Sequence, residues 1–464
     1  MRRFKLLLAA GLLSLLLGGC FSQSVDELYR APRAPDDYLK LDERINEVLN
    51  AGGEYAAPLT GELTQKVQLQ DLDGDGVQEA IAFFRVSADE RPLKIYIYRQ
   101  VEEDYEVAAI IEGSGNAINS VSYENLDNSP TKEIIVDWET AGQTYSLAAY
   151  SIDRYEVVEL LRKEHSGFRV YDIDGDGQQE ILILRTAGGA ESAQSDAMYT
   201  IGASENRVEL YNLRDGVVAL DSSAPLSQNV EQVVSLNVGY LRDMVPALFV
   251  TSTYAVNGQI TDIFAWKDGG VENVTLERDT GESGGTVRWE TEVNSTQVSC
   301  TDINHDGIME LPSAYALTEP DSTSTAPNFW AIRWQQYDVN GGAHQVFTTY
   351  HNNQDGWYFI LPTEWSGKLT LSRSNLAGGG ERAVVFSYWE GDEAVEPEPF
   401  LVIYKLTGDN REARASMPGR FRLLEGEDDA IYAARLVDSG WDCGLDEQGL
   451  RDRFKTIQTS WYYD

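Results

Sequence analysis

Histidine is scarce in this chain, with four in 464 residues, and cysteine scarcer, with three. That count excludes a disulfide-built scaffold and a cysteine zinc site. Basic residues are in deficit: 37 Lys and Arg face 75 Asp and Glu, for a formal charge of −38. Phosphate contact needs clustered Lys and Arg, so a nucleic-acid partner is excluded. No Gly-x-Ser-x-Gly elbow, His-Glu-x-x-His pair or phosphate loop occurs. No apolar stretch reaches the roughly 20 residues that a membrane-spanning helix needs.

The one apolar run, Leu6–Leu17, follows Arg2, Arg3 and Lys5 and ends in Leu17-Gly18-Gly19-Cys20. A basic flank, a short apolar segment and small residues before a cysteine read as a secretory signal. The ending resembles the bacterial lipoprotein box. Residues 1–19 are then the signal peptide, and Cys20 carries the lipid and begins a tether over 20–35. The alternative is an ordinary cleaved signal with a chance cysteine. Either way the chain is held by lipid or exported, not threaded through the membrane. The remaining pair, Cys300 and Cys443, either bridges or stays as two buried thiols.

What is abundant points to strands. There are 24 Tyr, 10 Trp and 40 Gly, and alternation replaces helical spacing after one N-terminal helix over 36–53. The chain then repeats itself. Asp71-Leu-Asp-Gly-Asp-Gly-Val-Gln-Glu79, Asp172-Ile-Asp-Gly-Asp-Gly-Gln-Gln-Glu180 and Asp302-Ile-Asn-His-Asp-Gly-Ile-Met-Glu310 each run into an apolar strand. A fourth segment, 125–133, keeps the length but has Ser129 and Pro130 in place of Asp and Gly. Three weaker echoes lead into 247–250, 383–389 and 431–437. Each unit reads as strand A, acidic turn, strand B, strand C, strand D. Four antiparallel strands per unit, stacked so that each covers the next, describe an all-β propeller. Seven B strands predict about seven blades over 54–440, with six as the alternative and a helical closing segment over 441–464.

The acidic turns have the chemistry of a hard-cation cage. Calcium takes six to eight oxygens in a flexible geometry. Asp71, Asp73, Asp75, the Val77 carbonyl and Glu79 supply such a set. Asp172, Asp174, Asp176, the Gln178 carbonyl and Glu180 repeat it, as do Asp302, Asn304, Asp306, the Ile308 carbonyl and Glu310. An EF-hand would need an acid at position twelve and a helix after the loop. Here Ala82, Ile183 and Ser313 stand at that position and strands follow. In these three loops and the fading one at 125–133 the chain resembles the FG-GAP/VCBS repeat proteins, whose propeller is integrin-α-like. The resemblance spans about 60–437 and implies about three structural calcium ions between strands A and B. It implies no particular activity.

In a propeller the A–B turns lie on one face and the B–C and D–A connections on the other. Long insertions at 186–206, 318–328 and 390–399, with 277–294 between blades, therefore gather opposite the acidic turns. Long loops on a rigid face are where recognition concentrates. Trp138, Tyr199, Tyr254, Trp289 and Trp389 are the aromatics expected there, to stack on a sugar or anchor a protein; the competing reading packs them between blades. The chain is thus expected to be a lipid-anchored binding module at the extracytoplasmic membrane face, for a glycan or an envelope protein. The alternatives are a carbohydrate-active hydrolase or lyase using paired carboxylates, and an envelope assembly scaffold.

Overall fold

The computed structural model describes residues 36–140, 144–153, 156–186, 206–227, 230–254, 258–276, 287–289, 299–320, 329–375, 380–425 and 430–457. Helix α1, Asp36–Asn50, opens the described chain. Leu41 and Ile45 lie one turn apart, and with Val48 and Leu49 they pack on Ala80, Ala82, Phe84, Tyr98 and Tyr105. Gly52, at φ +96°, ends the helix in the left-handed region. The Gly53 N–H closes on the Val48 carbonyl at 3.0 Å.

Six antiparallel sheets follow among the described residues. The B strand of the first sheet is its buried centre: 80 to 84 are Ala-Ile-Ala-Phe-Phe, all fully buried. Alternation sends the two sets of side chains to opposite faces. Ile81 and Phe83 meet Ile134 and Val136 of the second sheet. Ile135 meets Ile181 and Ile183 of the third. Leu182 and Leu184 meet Leu248 and Val250 of the fourth, and Phe249 meets Leu311 of the fifth. Tyr350 and Phe359 of the fifth meet Phe386 and Phe400 of the sixth. The fold is therefore a β-propeller of six blades. Helix α1 covers the outer face of the first blade. Ala415 of α2, Arg411–Ala415, lies on the outer face of the sixth with Tyr404, Leu406 and Ile431.

Six blades match the alternative count rather than the preferred seven. The strand assigned to a seventh blade, Ile431–Leu436, pairs with Glu398–Leu406 (Leu401↔Leu436, Leu406↔Ile431) and so completes the sixth. The pattern misled because a helix and the strand Phe421–Glu425 intervene, stretching one blade to the length of one and a half. The closing segment is also only partly helical. After α3, Glu447–Arg453, the strand Phe454–Thr456 pairs with the edge strand Trp357–Leu361 of blade 5. The Phe454 ring against Trp357 and Tyr432 holds it there.

The blade 1–2 seam turns on a glycine. A Cβ at Gly113 would overlap the six-membered ring of Trp138. Gly113→Ala is expected to destabilise the protein by about 1–2 kcal/mol through overpacking, read as a lower denaturant midpoint with unchanged slope.

Candidate metal centres

Strand polarity places the A–B and C–D turns at one end of the blades. The three acidic turns are A–B turns of blades 1, 3 and 5, and they share one construction. Position two is a buried apolar anchor: Leu72, Ile173 and Ile303. Its N–H donates to one oxygen of the position-nine glutamate, at 2.9, 3.0 and 3.1 Å to Glu79, Glu180 and Glu310. The position-one aspartate accepts two loop N–H groups: Asp71 from Gly74 and Gly76, Asp172 from Gly175 and Gly177, Asp302 from Asp306 and Gly307. Asp75, Asp176 and Asp306 accept from the N–H of Val77, Gln178 and Ile308. Asp73 and Asp174 accept from the N–H two residues on, as does Asn304. Backbone donors thus engage both oxygens of each position-one aspartate and one oxygen of the other loop acids, which fixes the side chains around a common centre. Positions four and six sit at positive φ, and in blade 5 position four is His305 at +62°.

The result is three clusters: Asp71, Asp73 and Glu79; Asp172, Asp174 and Glu180; Asp302, Asp306 and Glu310. In each, one oxygen per residue lies within 4.8 Å of the others. Burial pushes the Glu79 carboxyl up, and takes Glu180 and Glu310 up to about 7, with the neighbouring aspartates adding to the shift. Burial also raises Asp174. Crowded, desolvated carboxylates of this kind are costly unless a cation compensates them. The donors are all oxygen, which suits a hard divalent ion rather than zinc.

Among the described residues the even blades show no such cluster. Segment 125–133 keeps the clip, with Leu126 N–H to Glu133 at 3.0 Å. Its Ser129 hydroxyl instead bonds Thr131 at 2.6 Å, and its Lys132 N–H donates to the Leu72 carbonyl of the blade 1 loop at 2.8 Å. Blade 4 uses a tight turn through Asp243 and Met244, both at positive φ. In blade 6 the glutamate that opens strand B, Glu381, is held by both terminal nitrogens of Arg420, at 3.0 and 2.8 Å. A side-chain guanidinium stands there as the counter-ion.

The expected ligand aromatics fare differently. Trp138 is 1% exposed and belongs to the core between blades 1 and 2. Trp389 is 4% exposed, and its indole N–H donates to the carbonyls of Asp392 and Val395, stapling the following loop. Neither offers a ring face to a ligand, which corrects their assignment. Trp138 shares the parity of Ile134 and Val136, whereas Trp389 follows the end of strand Glu381–Tyr388. Cys20 and Tyr199 lie outside the described residues, as do the side chains of Tyr254 and Trp289 and most of the insertions. Tyr388 and Trp441 are half-buried aromatics at that end, stacked at 5.0 Å. Tyr388 shares the strand parity of Val384 and Phe386, whereas Trp441 had no strand pattern to mark it. Cys300 and Cys443 are both free thiols.

No family model matches this chain, and no curated protein does. Among solved structures it is similar to rhamnogalacturonan lyase YesW, at 12% identity over 75% of this chain and 72% of that one, with a TM-score of 0.30. The periplasmic gluconolactonase of Pseudomonas aeruginosa matches at 10% identity over 78% and 82%, TM-score 0.27. TolB from Acinetobacter baumannii matches at 10% identity over 78% and 64%, TM-score 0.23.

Proposed function

We propose that this protein is a lipid-anchored propeller, stabilised by calcium at the three A–B clusters, that binds a glycan or an envelope protein on its opposite face. The observation that carries the reading is the division of labour between faces. One end holds three all-oxygen carboxylate clusters, each built into a rigid turn. The other end holds the long connections. Calcium suits the clusters because it accepts irregular sets of carboxylate and carbonyl oxygens, whereas magnesium demands near-octahedral geometry. Asp71, Asp73, Asp75 and Glu79 with the Val77 carbonyl would hold one ion. Their equivalents in blade 3, and Asp302, Asn304, Asp306, Glu310 and the Ile308 carbonyl in blade 5, would hold the others. Such an ion supplies charge compensation for the turn.

The entry of the chain supports the membrane arrangement. Arg44 of α1 pairs with Asp104 at 2.7 Å and donates to the Tyr105 carbonyl at 2.9 Å, at the C–D turn of blade 1. After α1, Glu54 and Tyr55 pair with Arg85 and Phe84 at the other end of strand B. The helix therefore runs from the cluster face toward the insertion face. A lipid on Cys20 would draw the cluster face toward the bilayer and leave the opposite ends of the blades away from it.

The test uses the processed protein in co-sedimentation with a polysaccharide and cell-wall panel, with released sugar assayed in each supernatant. Retention without release is expected, weakened at least tenfold by Tyr388→Ala. Released fragments would overturn the reading in favour of a hydrolase or lyase. No retention would move the partner to an envelope protein.

A further inference from the structure

The three clusters differ in what already neutralises them. In blades 1 and 3 the hydrogen bonds to the cluster carboxylates come from backbone N–H groups. In blade 5 two side-chain amides enter. Gln336 Nε2 donates to Asp306 Oδ2 at 2.9 Å and to Glu310 Oε1 at 2.7 Å. Asn304 Nδ2 donates to the same two oxygens, at 3.0 and 3.1 Å. These are the oxygens that a cation would need, and Glu310 is fully buried.

An amide can be turned to offer its oxygen instead, since its two ends have nearly the same shape. Blade 4 decides which end faces the cluster. Arg242, in the tight turn of blade 4, donates through Nη1 to Gln336 Oε1 at 3.3 Å. Turning the amide would set its NH2 against a guanidinium, donor against donor. Arg242 thereby keeps the Gln336 donors on the carboxylates. Blade 3 has the opposite polarity at the same place. Gln335 pairs with Leu311, so Gln336 lies opposite Glu310; Tyr211 pairs with Ile181, so Asn212 lies opposite Glu180. The Asn212 Oδ1 is buried with no hydrogen-bond partner. A buried carbonyl oxygen without a donor is a ligand in waiting for a hard cation.

We propose that the clusters form two strong cation sites, in blades 1 and 3, and one weak site in blade 5. Gln336, oriented by Arg242, is the residue that weakens the third, and Asn212 is an added ligand of the second. The inference rests on the calcium reading above. It makes Gln336 and Arg242 a link by which the blade 4 turn controls the blade 5 site.

Calcium titration of the chelator-treated processed protein, followed by calorimetry, tests it. Two ions should bind with similar constants and a third at least tenfold more weakly. Gln336→Glu, which replaces two donors with a carboxylate, should tighten the third at least tenfold. Arg242→Ala acts at the exposed turn, outside the cluster, and should shift the third site in the same direction without changing the first two. Asn212→Ala should weaken one of the strong sites. Three equal sites in the parent protein would overturn the proposal, as would a third site indifferent to both Gln336→Glu and Arg242→Ala. No calcium uptake at all would instead refute the calcium reading on which the proposal stands.

Discussion

Chelation is expected to lower the melting midpoint by several degrees, and Asp73→Asn with Asp174→Asn to remove most of that dependence. The expected size follows from mass action. An ion at ten times its dissociation constant stabilises the native state by about 1.4 kcal/mol per site, so two strong sites contribute about 3 kcal/mol. The effect exceeds simple loss of a ligand because of what remains. Glu180 is 3% exposed and Glu310 fully buried, and without a cation each ionised carboxylate faces other carboxylates. The turns also join blades: Lys132 of blade 2 donates to Leu72 of blade 1, and Met309 of blade 5 donates to the Tyr240 carbonyl of blade 4 at 2.9 Å. Loosening a turn therefore loosens a seam. Differential scanning with and without chelator reads the result. A double variant that melts like the parent, both showing no response to chelator, would remove the cation from the account.

The second large effect is at His351. Its ring is sealed between Tyr358, stacked at 5.1 Å, and Trp334, and neither ring nitrogen has a hydrogen-bond partner. Burial lowers its pKa to about 3. A depressed pKa gives stability that is complete above the unfolded value near 6.5 and is lost as pH falls toward the folded value. By pH 4 the loss amounts to about 3 kcal/mol. His351→Phe keeps an aromatic ring, removes two unpartnered nitrogens and cannot titrate. It should be close to neutral at pH 7 and increasingly more stable than the parent below pH 6. The comparison is made as a difference between the two proteins at each pH. The buried glutamates, whose pKa values are raised, gain stability as pH falls and cancel in that difference. Parallel stability–pH curves for the two proteins would show that His351 does not titrate in a buried site.

Much of the architecture was legible as period and punctuation. Alternating apolar runs gave the strands, and the turn glycines with their aspartates marked where strand A gives way to strand B. The cluster residues were legible for the same reason: local spacing alone sets which carboxylates a nine-residue loop turns inward. Their clip was not. The bond from the Leu72 N–H to Glu79 joins two ends of one loop, and only the folded turn reveals that the glutamate divides its oxygens between backbone and centre. The choice between seven and six blades was open where locality failed. Residues 431–437 look like any other B strand, and only their pairing with 401–406 makes them the end of blade 6.

The aromatics mark the limit most clearly. A tryptophan at a strand end carries the same letter whether it faces solvent or a neighbouring blade, and for Trp138 the decision belongs to Gly113, 25 residues away in the preceding blade. The same holds for Gln336. Its sequence neighbours say nothing of a cation, because its partners Arg242, Asp306 and Glu310 come from other strands and another blade. By itself the sequence determined the elements, the repeat and the chemistry of each acidic turn, since these depend on residues close along the chain. The tertiary structure decided which strands end the last blade, which aromatics are core and which acidic turn meets amide donors, since those depend on groups that meet only when blades pack.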